Sequence, residues 1–168
     1  MTIFLCGFMG CGKTTTGKIA AKKLGIGYTD TDELIVCSEK MTIPEIFSCK
    51  GEDYFRKIEA ETIKKLGGKR VVASCGGGAL LNSETASHAL ETGIVVYLEV
   101  PFETCYDRIK DDQNRPIAAS STKEELEERY KKRHEIYKRN STVTVRCTGT
   151  PPENAEAVIA AVKGCKKC

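Results

Sequence analysis

A glycine-rich octapeptide near the N-terminus, Gly7–Thr14, restricts both the fold and the chemistry of this chain. Its sequence GFMGCGKT matches G-x-x-x-x-G-K-[ST], follows the apolar segment Ile3–Cys6 and leads into a helical pattern, which is the context of a phosphate-binding loop. The alternative is an ordinary strand-to-helix turn. The motif predicts backbone N–H groups that face an anion, with Lys13 on the β- and γ-phosphates and the Thr14 hydroxyl on Mg²⁺.

Short apolar segments alternate with helical patterns along the chain. Such alternation predicts a parallel sheet with helices on both faces, because parallel strands need crossover connections. The polar stretch 111–122 fits neither pattern and is predicted to be a mobile lid, and 164–168 a frayed tail, of one domain spanning 1–168. The predicted strands are Ile3–Cys6, Tyr28–Asp30, Arg70–Ser74, Ile94–Glu99 and Thr142–Arg146, and the predicted helices are Lys13–Leu24, Asp32–Glu39, Ile43–Ser48, Glu52–Leu66, Ser83–Glu91, Pro101–Lys110, Lys123–Lys138 and Pro151–Val162.

Composition excludes several classes of protein. The 168 residues carry 26 basic and 23 acidic side chains, scattered along the chain, which argues against a nucleic-acid or membrane-surface protein. No apolar run is long enough to span a bilayer, and the N-terminal apolar run is too short for an export signal. Nine cysteines are then expected to be reduced thiols in the cytoplasm. The C-x-x-C of Cys165 and Cys168 has no second ligand pair, so a tail is favoured over a zinc site.

Missing motifs narrow the class of nucleotide-binding protein. A GTPase switch needs N-K-x-D and D-x-x-G, and neither string occurs. Motor ATPases place an acidic pair after an apolar strand, whereas Val71–Ser74 runs into Cys75 and three glycines. The class that remains is the small-molecule kinases.

An acidic pair marks the end of the second predicted strand. Asp30 and Asp32 flank Thr31, and residues two apart in an extended segment point to the same side. Two carboxylates at the carboxyl end of a parallel strand suit a metal and hydroxyl site. The alternative is that Asp32 only caps the helix that begins at Glu33.

Two arginines are candidates for binding an anionic substrate. Arg56 and Glu59 are one helical turn apart, so the carboxylate can orient the guanidinium, although an exposed ion pair is the alternative. A charge on an inward face usually has an anionic partner. Arg133 has such a position, on the apolar stripe of Leu126, Tyr130 and Tyr137.

From about Thr2 to Val162, the sequence resembles the shikimate kinase family. The resemblance implies a three-layer α/β P-loop kinase fold and transfer of the γ-phosphoryl of ATP to the 3-hydroxyl of shikimate, in aromatic amino-acid biosynthesis. It also implies one Mg²⁺ ion per subunit, no nucleic-acid or membrane partner, and a monomer. The motifs that carry it are Gly7–Thr14, Asp30-Thr31-Asp32, Phe55-Arg56-Lys57-Ile58-Glu59, Gly76-Gly77-Gly78, and Arg115-Pro116 followed by Arg133.

The resemblance assigns a role to each site residue. Lys13, Asp32 and Arg115 are the catalytic residues, with Asp32 as the proton acceptor, and Thr14 and Asp30 hold the metal. The implied nucleotide-binding residues are Gly10, Cys11, Gly12, Lys13, Thr14, Thr15, Arg108, Arg115 and Pro151. The implied substrate-binding residues are Asp32, Phe47, Phe55, Arg56, Glu59, Gly76, Gly77, Gly78 and Arg133.

Two rival functions fit part of these motifs. A small kinase for gluconate or a nucleotide would keep the phosphate loop but not the arginine pair aimed at a ring carboxylate. A catalytically dead relative would be expected to have lost Lys13, Asp32 or Arg115, and all three are present.

Overall fold

The computed structural model describes residues 1–110 and 121–165 and contains one five-stranded sheet. Every pair of neighbouring strands is parallel, in the order β2-β3-β1-β4-β5. The predicted α/β class is confirmed. The strands are β1 (Thr2–Cys6), β2 (Gly27–Asp30), β3 (Val71–Ser74), β4 (Gly93–Glu99) and β5 (Val143–Arg146).

Helices separate these strands and cover both faces of the sheet. Within the described residues they are α1 (Lys13–Leu24), α2 (Thr31–Glu39), α3 (Ile43–Leu66), α4 (Ser83–Thr92), α5 (Phe102–Ile109), α6 (Lys123–Arg139) and α7 (Pro151–Gly164). None of the described helices combines the length and apolar character needed to cross a bilayer.

The α3 element agrees with its prediction. The sequence predicts two helices, 43–48 and 52–66, and the structure has two helical segments that meet at a kink, where Gly51 is not helical. At φ 83° and ψ 169°, Gly51 adopts a conformation that favours glycine, which permits the change in direction without a separating loop. A capping box between Thr42 and Glu45 begins this helix.

The sheet packs against two separate apolar layers. Ile3 and Leu5 of β1 face the layer that includes α1 and α7, and Phe4 and Cys6 face the layer that includes α3 and α4. The central strand is therefore buried on both faces, which explains its continuous apolar sequence. Close packing of α1 needs Gly17, because a Cβ there would lie 2.9 Å from Cε2 of Tyr28.

The strand order places three loops side by side at the carboxyl edge of the sheet. β1 leads into the phosphate-binding loop, and its neighbour β3 leads into the glycine triplet at 76–78. β2, next to β3, leads directly into α2 and the acidic pair. This edge is where ligands bind in parallel α/β sheets.

Two predicted segments lie partly outside the described residues. The predicted lid at 111–122 has only its last two positions in the described part, where Thr122 and Glu125 form the capping box of α6. In the predicted tail, α7 continues through Gly164, and the Cys165 N–H donates to Val162 O at 3.1 Å. Cys168 lies outside the described residues.

Candidate active site

The phosphate-binding loop is shaped by glycines at its turns. Gly10 has φ 79°, and a Cβ there would lie 2.7 Å from Cys105 O, so no other residue fits without a shift of the backbone. Gly12, at φ 88°, is the N-cap of α1. The loop thus ends on the N-terminus of a helix, where unpaired N–H groups and the helix dipole favour an anion.

Lys13 places its positive charge over this loop. Its Nζ donates to Gly7 O at 2.8 Å and to Phe8 O at 3.2 Å, and it lies 3.6 Å from Sγ of the buried Cys11. The ammonium group therefore lies where loop-bound phosphate oxygens would gather. On the same loop, Nη1 of Arg108 donates to Gly10 O at 3.0 Å, which brings a second cation to the phosphate side of the site.

Thr14 and Asp30 bring two oxygen ligands together. The Thr14 hydroxyl donates to Oδ2 of Asp30 at 3.3 Å, across the gap between α1 and β2. Mg²⁺ prefers carboxylate and hydroxyl oxygens and completes its shell with substrate phosphates and water. Among the described residues no cluster of three His, Cys, Asp or Glu side chains suits a metal, so phosphates and water would supply the remaining ligands.

Asp30, and not Asp32, is the N-cap of α2. Oδ1 of Asp30 accepts from the Asp32 N–H at 3.0 Å, and the helix begins at Thr31. The argument that both carboxylates lie on one extended segment is therefore wrong, because Asp32 is already in the first helical turn. The capping alternative for Asp32 is wrong for the same reason.

The Asp32 carboxylate lies against the glycine triplet. A Cβ at Gly76 would lie 2.5 Å from Oδ1 of Asp32 and 2.9 Å from Oε1 of Glu59. Only glycine fits between these two carboxylates, so the segment after β3 can approach both. Oδ1 of Asp32 is shielded from bulk water, as a group that accepts a proton from a bound alcohol needs to be.

Arg56 is held by carboxylates on its own helix. Its Nη1 donates to Oε2 of Glu59 at 2.8 Å, and its Nη2 donates to Oε1 of Glu52 at 3.0 Å. The guanidinium packs so closely on Gly78 that a Cβ at that position would clash with it. Arg56 is thus fixed over the end of the glycine triplet, in the orientation that the sequence pattern predicts.

Glu59 is an almost completely buried carboxyl, with 3% of its surface exposed. Burial raises its pKa, and the neighbouring Asp32 carboxylate adds to that rise. The Arg56 guanidinium acts in the opposite direction and keeps part of the charged form stable. Ionisation of this carboxyl therefore costs more free energy in the folded chain than in the unfolded chain.

We expect a Glu59→Gln variant to lose part of the pH dependence of stability. A folded-state pKa above the ordinary value of 4.5 means that the folded chain binds the proton more tightly than the unfolded chain. The free energy of unfolding of the native chain should consequently fall as pH rises from about 4.5 through the folded-state pKa of Glu59.

Urea titrations at a series of pH values measure this fall. The variant should show a shallower fall than the native chain, and Glu61→Gln, at an exposed position two residues further along α3, is the matched control. Identical slopes for the native chain and Glu59→Gln would contradict the raised pKa.

Arg133 reaches the glycine triplet from the opposite side. Its Nη1 lies 3.4 Å from Gly77 O, and no described carboxylate lies within ion-pair distance of it. An inward-facing guanidinium of this kind is a ready partner for a substrate anion. Phe47 and Phe55 supply an apolar surface near Arg56, with ring centroids 4.8 Å apart.

Comparisons with known proteins identify the family of this chain. The family model of shikimate kinase matches residues 9–163. A shikimate kinase of Persephonella marina is 43% identical over 136 residues, which are 80% of this chain and 82% of the relative. The chain belongs to the shikimate kinase family.

Solved structures of the shikimate kinase family have the same fold. Shikimate kinase from Acinetobacter baumannii in complex with shikimate has a TM-score of 0.91 and 32% identity, covering 99% of this chain and 95% of that one. The Aquifex aeolicus enzyme has a TM-score of 0.86 and 35% identity, covering 98% and 97%. A gluconokinase from Sinorhizobium meliloti, at 17% identity and a TM-score of 0.59, shares the fold alone.

Membership of the shikimate kinase family makes this chain a kinase that transfers a phosphoryl group from ATP to shikimate. The three-layer P-loop kinase fold that the sequence predicts is confirmed by these structures. The rival functions as a gluconate or nucleotide kinase, or as a dead relative, lose their support.

The described contacts do not test the roles of three predicted site residues. Arg115 lies outside the described residues, so its role stays a prediction. Thr15 is exposed on the first turn of α1, and Pro151 is the exposed first residue of α7. Their roles in nucleotide binding also stay predictions.

Two residues that contact the site loops received no role from the sequence. Thr31 is buried between the two aspartates and accepts the Gly76 N–H, and its place inside the acidic motif was a usable signal. The Tyr137 hydroxyl donates to Gly77 O, but its apolar stripe indicated only a core residue.

Proposed function

We propose that this chain phosphorylates the 3-hydroxyl of shikimate, and that different residues at the carboxyl edge of the sheet bind the nucleotide, the hydroxyl and the carboxylate. The observation that carries the proposal is the convergence of Asp32, Glu59, Arg56 and Arg133 on the glycine triplet, beside the phosphate-binding loop. One acid for a hydroxyl and two cations for a carboxylate match a small polyol acid such as shikimate.

Asp32 is the proton acceptor in this proposal. Its carboxylate lies against Gly76 with Oδ1 shielded from bulk water, and the N-cap of α2 is Asp30 instead. As the 3-hydroxyl oxygen attacks the γ-phosphorus of ATP, its proton passes to Asp32, while the bond from phosphorus to the ADP oxygen breaks. A carboxylate in this position also orients the attacking oxygen.

The nucleotide side is formed by the phosphate-binding loop. Lys13, with the N–H groups of Gly10, Cys11, Gly12, Thr14 and Thr15, would stabilise the negative charge on the transferring phosphoryl group. Arg115 from the predicted lid would add a further cation and exclude water. Arg108 and Pro151 would flank the adenine.

Thr14 and Asp30 fit a single Mg²⁺ ion. The fit rests on the 3.3 Å contact between the Thr14 hydroxyl and Oδ2 of Asp30, because both are hard oxygen ligands. When bound, the ion would neutralise charge on the β- and γ-phosphate oxygens of ATP. Oδ1 of Asp30 meanwhile keeps its cap on α2, so the helix that carries Asp32 is tied to the metal side.

The substrate carboxylate is bound by Arg56 and Arg133. Arg56 is oriented by Glu59 and Glu52, so its direction is set before substrate arrives. Arg133 has one N–H near Gly77 O, and a guanidinium has further N–H donors for a carboxylate. Phe47 and Phe55 would line the apolar side of the ring.

We expect Arg133→Ala to weaken shikimate binding by about 2 kcal/mol, or about 30-fold in Kd, because it leaves a carboxylate unpaired in a partly desolvated site. ATP affinity should stay within about 2-fold. Isothermal titration with each ligand measures both values. Arg139→Ala, an exposed arginine on the same helix, is the matched control. Equal weakening of both ligands would place Arg133 in the fold or the nucleotide site.

A steady-state assay of ADP release with ATP and Mg²⁺ tests the proposed function directly. Shikimate should support turnover, and gluconate and nucleoside monophosphates should not. Comparable turnover with gluconate would overturn the proposed preference for shikimate, since gluconate also has a carboxylate but no ring to pack on Phe47 and Phe55. The proposal includes a cytoplasmic monomer without nucleic-acid or membrane partners. The near balance of 26 basic and 23 acidic residues supports the absence of such partners.

A further inference from the structure

The segment Gly76–Gly77 is held from two sides by residues that the proposed mechanism does not use. The Gly76 N–H donates to Oγ1 of Thr31 at 3.0 Å. The Gly77 carbonyl accepts from the Tyr137 hydroxyl at 2.6 Å. Thr31 belongs to α2 and Tyr137 to α6, so this short segment joins two helices that are distant in sequence.

The side chain that supplies the hydroxyl group is buried in both hydrogen bonds. Thr31 has 0% and Tyr137 has 1% of its surface exposed, so water cannot easily replace either hydroxyl. The Tyr137 ring also packs on Tyr97 of β4, with ring centroids 5.3 Å apart. The hydroxyl is therefore presented to Gly77 from a ring that is itself held by the sheet.

Each of these helices carries one of the proposed site groups next to its hydrogen bond. Thr31 directly precedes Asp32, and Arg133 is one helical turn before Tyr137. Asp32 lies against Gly76, and Arg133 lies 3.4 Å from the same Gly77 oxygen that Tyr137 binds at 2.6 Å. The Gly77 carbonyl accepts from both side chains, and the remaining N–H donors of the Arg133 guanidinium are left for an anion.

A second contact strengthens the link between α6 and this loop. Nδ2 of the buried Asn140 donates to Leu80 O at 2.9 Å. Arg133, Tyr137 and Asn140 follow each other at helical spacing, so one face of α6 is bonded along the chain segment that follows β3.

We propose that Thr31 and Tyr137 are positioning residues that set the spacing between the proton acceptor Asp32 and the carboxylate ligand Arg133, through the Gly76–Gly77 segment. This inference rests on the proposed function. A substrate that is anchored by its carboxylate presents its hydroxyl to Asp32 only if that spacing is correct, and small misplacements of reacting groups are costly in rate.

Steady-state kinetics of Tyr137→Phe test whether Tyr137 positions Arg133. The variant keeps the ring and removes the hydroxyl, so we expect the KM for shikimate to rise about 3- to 10-fold, as for the loss of one buried hydrogen bond, with the KM for ATP unchanged. Tyr130→Phe is the control, because its hydroxyl donates to Val100 O at 2.9 Å from the same helix. An unchanged shikimate KM in Tyr137→Phe would overturn the inference.

Substitutions of Thr31 test whether this residue positions Asp32. Thr31→Val removes the acceptor for the Gly76 N–H at equal size, and we expect kcat to fall about 10-fold. Thr31→Ser keeps the hydroxyl and should restore kcat. Thr2→Val is the control for loss of a buried threonine hydroxyl, since Oγ1 of Thr2 donates to Leu66 O far from the site. A Thr31→Ser variant as slow as Thr31→Val would contradict the positioning role.

A double variant separates this inference from the proposed function. If Tyr137 acts through Arg133, Tyr137→Phe should raise the shikimate KM in the native background but not in the Arg133→Ala background. If Arg133→Ala raises the KM and the two effects simply add, the positioning inference fails and the proposed function stands. If Arg133→Ala leaves the KM unchanged, the carboxylate clamp and the inference both fail. KM does not depend on the folded fraction, so partial unfolding does not obscure the result.

Discussion

An Asp32→Asn variant is expected to lose about 10²- to 10⁴-fold in kcat, the loss typical of removing general-base help. Asparagine has nearly the same size and can still orient the hydroxyl, but it cannot take up the proton. Because the N-cap of α2 is Asp30, the substitution leaves the cap intact. We expect the free energy of unfolding to change by no more than about 1 kcal/mol, the contribution of a charge in the first helical turn.

Glu33→Gln is the matched control for Asp32→Asn. It removes a neighbouring negative charge from the same first turn of α2, but from an exposed side chain. Its kcat should stay within about 2-fold of the native value. Steady-state kinetics, with urea unfolding of each variant, provide the comparison. A large shift in the Mg²⁺ concentration that Asp32→Asn needs for turnover would instead indicate that Asp32 binds the metal. The roles proposed for Asp30 and Asp32 would then be exchanged.

Lys13→Ala is expected to lower kcat about 10³-fold or more, because it removes a fixed cation from the phosphoryl group in the transition state. The fold should persist. In the structure the Lys13 ammonium is bonded to carbonyls of the phosphate-binding loop, and the lysine is not one of the buried apolar residues of the described core. Single-turnover measurements at saturating ATP and shikimate separate this loss from weaker ATP binding.

Lys22→Ala controls for the loss of a lysine from α1, since Lys22 is exposed in the last turn of that helix. Its kcat should equal that of the native chain. Turnover of Lys13→Ala near the native rate would contradict the assignment of the phosphate site, whatever the affinity for ATP.

Local motifs allowed much of the fold to be predicted. The phosphate-binding loop and the alternation of strands and helices depend on neighbours in sequence, so they predict an α/β sheet with its ligand edge at the strand ends. The break in α3 is an example. The sequence predicts two helices around Gly51, and the structure has a helical segment on each side of this non-helical residue, with α3 packed against α2 and α4.

The amino-acid sequence is sufficient to identify the chemical groups of the site: a phosphate-binding loop with Lys13, an acidic pair, a glycine triplet and two arginines. Their separate roles follow only from the folded chain. Asp30 caps α2, which begins at Thr31, and the Asp32 carboxylate in the first helical turn lies against Gly76. The order of the parallel strands places three loops at one edge of the sheet. The hydroxyl of Tyr137, which is distant in sequence, joins α6 to the glycine triplet through its hydrogen bond to Gly77 O. Such contacts depend on burial and strand order, which no local pattern of residues records.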